Sequence, residues 1–287
     1  MKISAEQLSI LDSLVVERLT ENPVNTALVN TFKSSRNPNL EIPIKTRVGF
    51  DRDKDGSTAY YVVKTNDGIL LLYFSLKCGE VFKSLDMSKM VMARNILDNY
   101  SIITSQEGRE QQEIEHAMSF FRDNSEEIKD ILPNIETYIS KKGEYANDVR
   151  KELNKEVSRV LHTHPAIEIV EFCANDNARE RWDAYELPQK MGKCVFWHCI
   201  VPILKSVQKI IGCEYVYLFA ADSTPDRYLA NYYQVSLKFE TSDILGANKP
   251  RYDFMCYFLL QKISNLDNER DNFYNNFNPD ENIADII

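Results

Sequence analysis

The chain alternates between two kinds of pattern. Two apolar runs dense in Tyr, Val, Leu and Phe, "STAYYVVK" and "ILLLYFSLK", flank Asn66-Asp67-Gly68. Residues of that type reach the left-handed turn conformations that join antiparallel strands, so the spacing predicts a hairpin over 57–77. Upstream, "SLVVERL" (13–19) reads as a strand, and "NPVNTALVNTFKSS" reads as a helix with a proline at its opening and polar residues at its close. From 87 to 160 the sequence is charged and helix-favouring, broken by Pro133 and Gly143, which predicts two or three inserted helices. The strand–helix–strand rhythm then returns. "AIEIVEFCA" (166–174) is followed by an apolar helix after Gly192, closed by Gly212 in the place of a left-handed cap, and then by "CEYVYLFAADS" (213–223). Two strands around one helix predict a parallel pair with a right-handed crossover. A short helix "DRYLANYYQ" (226–234) and strands in "VSLKFE" and "YDFMCYFLLQKIS" (252–264) complete the core. These elements divide the chain into an N-terminal sheet region (1–86), a helical insertion (87–160), a core (161–265) and a polar, Asn-rich, loosely attached tail (266–287).

Composition narrows the class. Of 287 residues 44% are hydrophobic, ample for a packed core. No apolar run reaches the roughly 20 residues of a membrane span, and "MKISAEQLSILDSL" is polar and acidic where a secretory leader is basic and then apolar. A cytoplasmic protein without a membrane partner is expected. Cys78, Cys173, Cys194, Cys199, Cys213 and Cys256 form no CxxC pair, and they read as reduced thiols within apolar runs. The net charge of −9 argues against binding nucleic acid through its phosphates, which rests on clustered Lys and Arg. The alternating charges of 105–160 read as solvated helix faces.

Three short stretches resemble chemical motifs. "DRDKDGST" places Asp51, Asp53, Asp55 and Gly56 as in half of a calcium loop, but Val62 stands where the bidentate glutamate belongs, so a polar turn is expected. "HTHP" (162–165) resembles the His-x-His-Pro of JAMM zinc hydrolases. There, however, an aspartate falls where this chain has Asn175 and a serine where it has Phe172, while Asp176 is one residue late. Zinc ligands converge at about 2.0 to 2.2 Å, so a one-residue slip needs a compensating bulge. The zinc hydrolase stands as the second reading; without zinc the two histidines read as a loop just ahead of the fourth strand.

The third stretch, "QKMGKC" (189–194), opens the long helix. Unpaired first-turn amides and the helix dipole make an anion site wherever the backbone can be approached closely, which small residues permit. Gly192 and Cys194 are small, and Lys193 adds a positive charge. The order of elements, with Gln189-x-x-Gly192-x-Cys194 between two strands and Tyr232-Tyr233 in the next helix before Phe239, resembles the GNAT superfamily of acyl-CoA-dependent N-acetyltransferases. The resemblance implies an α/β fold with a mixed, mostly antiparallel sheet, a central parallel pair and flanking helices, to which this chain adds its helical insertion. It implies acetyl-CoA as co-substrate, held at its pyrophosphate by Gln189, Lys190, Gly192, Lys193 and Cys194. The backbone of Phe172 and Cys173 would pair with the pantetheine arm, which Ser223 would also contact, although Asp222 and Ser223 equally suit the cap of the following helix.

Acetyl transfer to an amine needs a base for the amine and an acid for the departing thiolate. Glu168 and Glu171 are the carboxylates of the fourth strand, and regular alternation puts them on opposite faces, so only one can reach the acceptor. Glu171, nearer the strand's end, is preferred, and the resemblance points to Tyr233 as the acid. Trp182 and Tyr185 either line an entrance or pack onto the sheet. Pro202 removes the bond to the His198 carbonyl and predicts a kink. An acyl-CoA-binding interaction module, docking a protein partner through the 87–160 helices, is a third reading.

Overall fold

In the computed structural model the described residues are 1–84, 87–105, 108–135, 160–222, 224, 226–242, 244–248 and 256–279. They divide into two compact units, Met1–Val81 with His164–Ile287, and Phe82–Thr163.

The larger unit begins with helix α1 (Ala5–Asp12), which sequence patterning alone does not reveal. Its capping box is formed by Ser4 and Gln7, each side chain accepting from the other's backbone N–H. Strand β1 (Val15–Arg18) follows, then the short helices α2 (Asn25–Leu28), α3 (Ile42–Lys45) and α4 (Arg47–Asp55). The expected hairpin is present as β2 (Ala59–Lys64) and β3 (Leu70–Ser84), paired antiparallel. The aspartate-rich stretch is no calcium loop, because Asp51 to Asp55 lie on α4 and Gly56 caps it at φ 78°. Asp53 is buried. It accepts from Thr20 N–H (3.0 Å) and Tyr60 N–H (2.7 Å) and pairs with Arg18 at 2.6 Å, so its charge ties α4 to the first two strands.

In the smaller unit α5 (Met87–Thr104), α6 (Gln111–Asp123) and α7 (Ser125–Ile131) close over their own apolar centre of Ala93, Ile96, Ile128 and Ile131. Lys89 and Asp130 pair across it at 2.8 Å.

In the larger unit β4 (Val160–Ala174) is followed by α8 (Arg179–Asp183) and then α9 (Met191–Ile211), which crosses over to β5 (Tyr215–Ala221). Helix α10 (Tyr228–Leu237), the two-residue β6 (Leu245–Gly246), β7 (Cys256–Lys262) and α11 (Leu266–Asn275) complete it. Sheet order is β1-β2-β3-β4-β5-β7, with β6 beside β3. The β4–β5 pair is parallel, as the crossover predicts, and β5–β7 is antiparallel. Helix α9 is long and apolar enough to cross a bilayer, yet Val195, Phe196, Trp197, Ile200 and Leu204 bury one side of it in the main core.

Three expectations are corrected. "VSLKFE" is not a strand, because α10 runs on to Leu237 and ends at Lys238 in the left-handed conformation (φ 61°), leaving Glu240 a single bridge to Leu260. The tail expected to hang loosely is packed as far as residue 277. Leu266, Phe273 and Phe277 enter the main core, and Phe277 N–H bonds the Met1 carbonyl at 2.7 Å. The stretch "HTHP" lies within β4, not in a loop ahead of it.

The predicted kink takes the form of a π turn, Phe196–Ile200. Val201 N–H bonds the Phe196 carbonyl five residues back, which frees the Trp197 carbonyl, and Arg270 of α11 donates to it at 3.0 Å.

Candidate active site

The ladder between β4 and β5 runs only from Ala166/Tyr215 to Ile169/Leu218. Both strands continue, β4 to Ala174 and β5 to Ala221, and β5 there is paired to β7. The parallel pair therefore opens toward its carboxyl ends. Helix α9 runs back from that end to reach β5, which sets its first turn at the opening. Open parallel pairs bind ligands beyond their carboxyl ends for this reason.

Alternation along β4 is broken at the opening. Ile167 and Ile169 enter the main core, and so do Phe172 and Ala174, so the inward positions change from odd to even between 169 and 172. One extra residue in the strand does this. The expectation that Glu168 and Glu171 face opposite sides is thereby corrected. Glu171 meets Ser75, Glu168 meets Tyr217, and Tyr217 packs on Gly79. Ser75 and Gly79 are odd positions of β3 and share a face, so both carboxylates lie on it.

The Ser75 hydroxyl donates to Glu171 Oε2 and accepts from Glu171 N–H at 3.1 Å. Tyr60 hydroxyl lies 3.4 Å from Oε1. Burial pushes the Glu171 carboxyl above the usual carboxylate range, opposed by the Ser75 and Tyr60 hydrogen bonds and by Arg52. Glu168 is also raised by burial, opposed by Lys77 and by the Tyr217 hydroxyl at 3.3 Å. Tyr60, buried and next to Glu171, is pushed up to about 12.

Tyr233 lies within the main core, where burial and then the neighbouring Cys173 raise its hydroxyl well above the ordinary value. It therefore keeps its proton at neutral pH. Cys173, raised to about 11 by burial, sits 3.6 Å from the Ser34 hydroxyl on the face opposite Phe172.

The motif 189–194 is the start of the helix itself. Lys190 is the N-cap residue, Met191 opens the first turn, and Gly192, Lys193 and Cys194 are helical. The first ladder bond joins Cys194 N–H to the Lys190 carbonyl at 3.1 Å, so the amides of residues 191 to 193 precede the ladder. The Gln189 side chain is buried and donates to the Asn278 carbonyl, while the Gln189 backbone carbonyl accepts from Trp182 Nε1 at 3.3 Å. Trp182 therefore packs beneath the motif.

Asp222 caps. Its carboxylate accepts from Leu229 N–H (2.7 Å), Ala230 N–H (3.2 Å) and both donors of Thr224. Ser223 lies outside the described residues. His164, of the zinc-like stretch, is bonded to Glu214 at 2.8 Å, and Asp176 is committed to Ser35 N–H and Arg179.

Sequence reasoning missed Tyr60 and Ser75, which are direct cross-strand partners in the hairpin. A signal was there, since Ser75 is the one hydroxyl-bearing aliphatic side chain inside "ILLLYFSLK" and is wholly buried.

No family model and no curated protein matches the chain. Solved structures do. A mutant of the toxin AtaT is 11% identical, covering 90% of this chain and 94% of that one, with a TM-score of 0.48. A mutant of KacT is 11% identical over 90% and 99%, with a TM-score of 0.46. Also similar are AtaT complexed with acetyl-methionyl-tRNAfMet, 10% identical over 89% and 98% at TM-score 0.43, and a KacTA–DNA complex, 9% identical over 90% and 99% at 0.42. Those neighbours are complexes with nucleic acid, so the expectation of no nucleic-acid partner, drawn from the charge of −9, is withdrawn. Net charge is a sum over the chain and does not report where cations cluster. The mixed sheet, the opened parallel pair and the crossover helix make this a GNAT-like fold.

Proposed function

We propose that the protein is an N-acetyltransferase that moves an acetyl group from acetyl-CoA directly to an amine. The observation that carries this reading is the opening of the β4–β5 pair after Ile169/Leu218, with the first turn of α9 at its mouth; it is supported by the buried Glu171 on β4 and by the buried Tyr233 beside Cys173 of the same strand. An extended arm of the substrate fits between the parted strands, where the backbone of Phe172 and Cys173 makes no ladder with β5. The amides of Met191, Gly192 and Lys193 suit its phosphates.

In the reaction the amine nitrogen bonds to the thioester carbonyl carbon and the carbon–sulfur bond breaks. Glu171 receives the amine proton, for which a carboxyl raised toward neutrality by burial is suited. Tyr233 gives its proton to the departing sulfur and regains one from solvent, to which Glu171 releases the proton it took. The products are an amide and free coenzyme A. No disulfide joins any of the six cysteines, which fits a reducing, cytoplasmic setting.

The test is calorimetric titration with acetyl-CoA. Saturable binding is expected, and Gly192→Val, checked for its fold by circular dichroism, should abolish it by blocking the approach to the first-turn amides. Unchanged affinity in the folded variant refutes the assignment of 189–194.

A further inference from the structure

The hydroxyls around Glu171 are not interchangeable donors and acceptors, because each has a second partner that decides where its proton points. Ser75 Oγ accepts from the backbone N–H of Glu171, the residue at which the alternation of β4 breaks. An N–H displaced from its ladder by an extra residue needs an acceptor, and this hydroxyl supplies it. With its oxygen engaged by a donor, Ser75 directs its single proton to Glu171 Oε2. Tyr60 repeats the arrangement from the next strand. The Arg52 guanidinium, which only donates, faces the Tyr60 oxygen, and the Tyr60 proton is left for Oε1.

We propose that Ser75 and Tyr60 are positioning residues for Glu171, donating one hydrogen bond to each carboxylate oxygen and so fixing both its orientation and the pH at which it holds a proton. This rests on the reading of Glu171 as the base. The groups that face Glu171 are Arg52 from α4, Tyr60 from β2, Ser75 and Tyr73 from β3, and Glu168 from β4. Burial and the Glu168 charge raise the carboxyl, while the two hydroxyls and Arg52 lower it. The ionised form is the one that accepts both hydrogen bonds, so each hydroxyl extends the range in which Glu171 can take a proton.

The experiment follows the carboxyl itself. Protein labelled with carbon-13 at the glutamate side-chain carboxyl is titrated by NMR, and the Glu171 signal is identified by its loss in Glu171→Gln. Ser75→Ala and Tyr60→Phe should each move the midpoint of that signal upward by about one pH unit, the size of one hydrogen bond to a charged group. Ser75→Thr, which keeps the hydroxyl, should leave it near the wild-type position. A midpoint that stays in place in both Ser75→Ala and Tyr60→Phe overturns the inference. The reading of Glu171 as base fails separately, by full acetyl transfer in Glu171→Gln.

Discussion

Asp222 ends β5 in a place from which either a helix or a ligand could be held, and the structure gives it to the helix. Its carboxylate gathers Leu229 N–H, Ala230 N–H, Thr224 N–H and the Thr224 hydroxyl at 2.6 to 3.2 Å, with the residue 4% exposed. The N-cap residue proper, Arg227, is left-handed at φ 51° and makes no side-chain cap bond, so Asp222 supplies that function for α10, joined by the Thr224 hydroxyl, which accepts from Tyr228 N–H at 3.1 Å. Asp222→Ala removes a cap costing about 0.5 to 2 kcal/mol and strands buried amides at about 1 to 3 kcal/mol each, with partial rescue by water, for roughly 3 kcal/mol in all. A chain of this size loses about 2 to 4 °C per kcal/mol, so Tm should fall by roughly 6 to 12 °C. The hydrogen bonds hold the Asp222 carboxyl below its ordinary value. A lowered folded-state value stabilises above the unfolded value and is lost as pH falls through the folded one. Urea melts of wild type and Asp222→Ala should therefore differ most near neutrality and converge in acid. A difference under about 0.5 kcal/mol at neutral pH, the level of an ordinary surface substitution, refutes the reasoning, as does a gap that acid leaves unchanged.

Other predictions follow from the same geometry. Gly79→Ala would drive a methyl into the Tyr217 hydroxyl, so Tyr217 must move off Glu168, at about 1 to 3 kcal/mol, and Tyr217→Leu in the same chain should recover most of that in thermal melts. Glu171 and Glu168 titrate above the usual range when folded, so each costs stability as pH rises from the unfolded to the folded value, and Glu171→Gln should melt at or above the wild-type temperature at neutral pH while losing transfer. Tyr233→Phe should lower turnover far more than acetyl-CoA affinity, and full turnover removes Tyr233 as the acid. A thiol reagent should label exposed Cys78 first and Cys199, buried and raised to about 12, last, as peptide mapping would show.

The hairpin, the parallel pair and the crossover helix were legible because each is written in a local pattern: a turn tripeptide between apolar runs, or one apolar helix between two apolar strands. Where two patterns compete, the reading failed. "VSLKFE" has strand-like composition, but Tyr233 and Leu237 are also one helical turn apart, and both are buried, so tertiary packing kept the helix going. In the C-terminal segment Leu266, Phe273 and Phe277 are too sparse on an Asn-rich background to announce a packed element. The candidate site was half legible. Glu171, Tyr233 and the helix start come from contiguous signals, whereas Tyr60, Ser75 and Arg52 reach Glu171 only through strand pairing. Regular alternation also gave the wrong face for one glutamate, since a single extra residue leaves no compositional mark.

That extra residue in β4 places part of the chemistry in the spacing of the chain and not in the identity of any side chain. Deleting Val170 would keep every glutamate, tyrosine and serine named above, yet it would restore strict alternation and turn Glu168 and the glutamate after it to a common parity only by shifting all of "FCAND" one step along the strand. Phe172 and Cys173 would keep their faces but sit one step back along the strand, and the asparagine that pins Lys33 and Leu70 to the end of β4 would lose its register. A comparison of related chains by substitution alone would score such a protein as intact. Counting residues between the two carboxylates is the sharper test of whether the site has been kept.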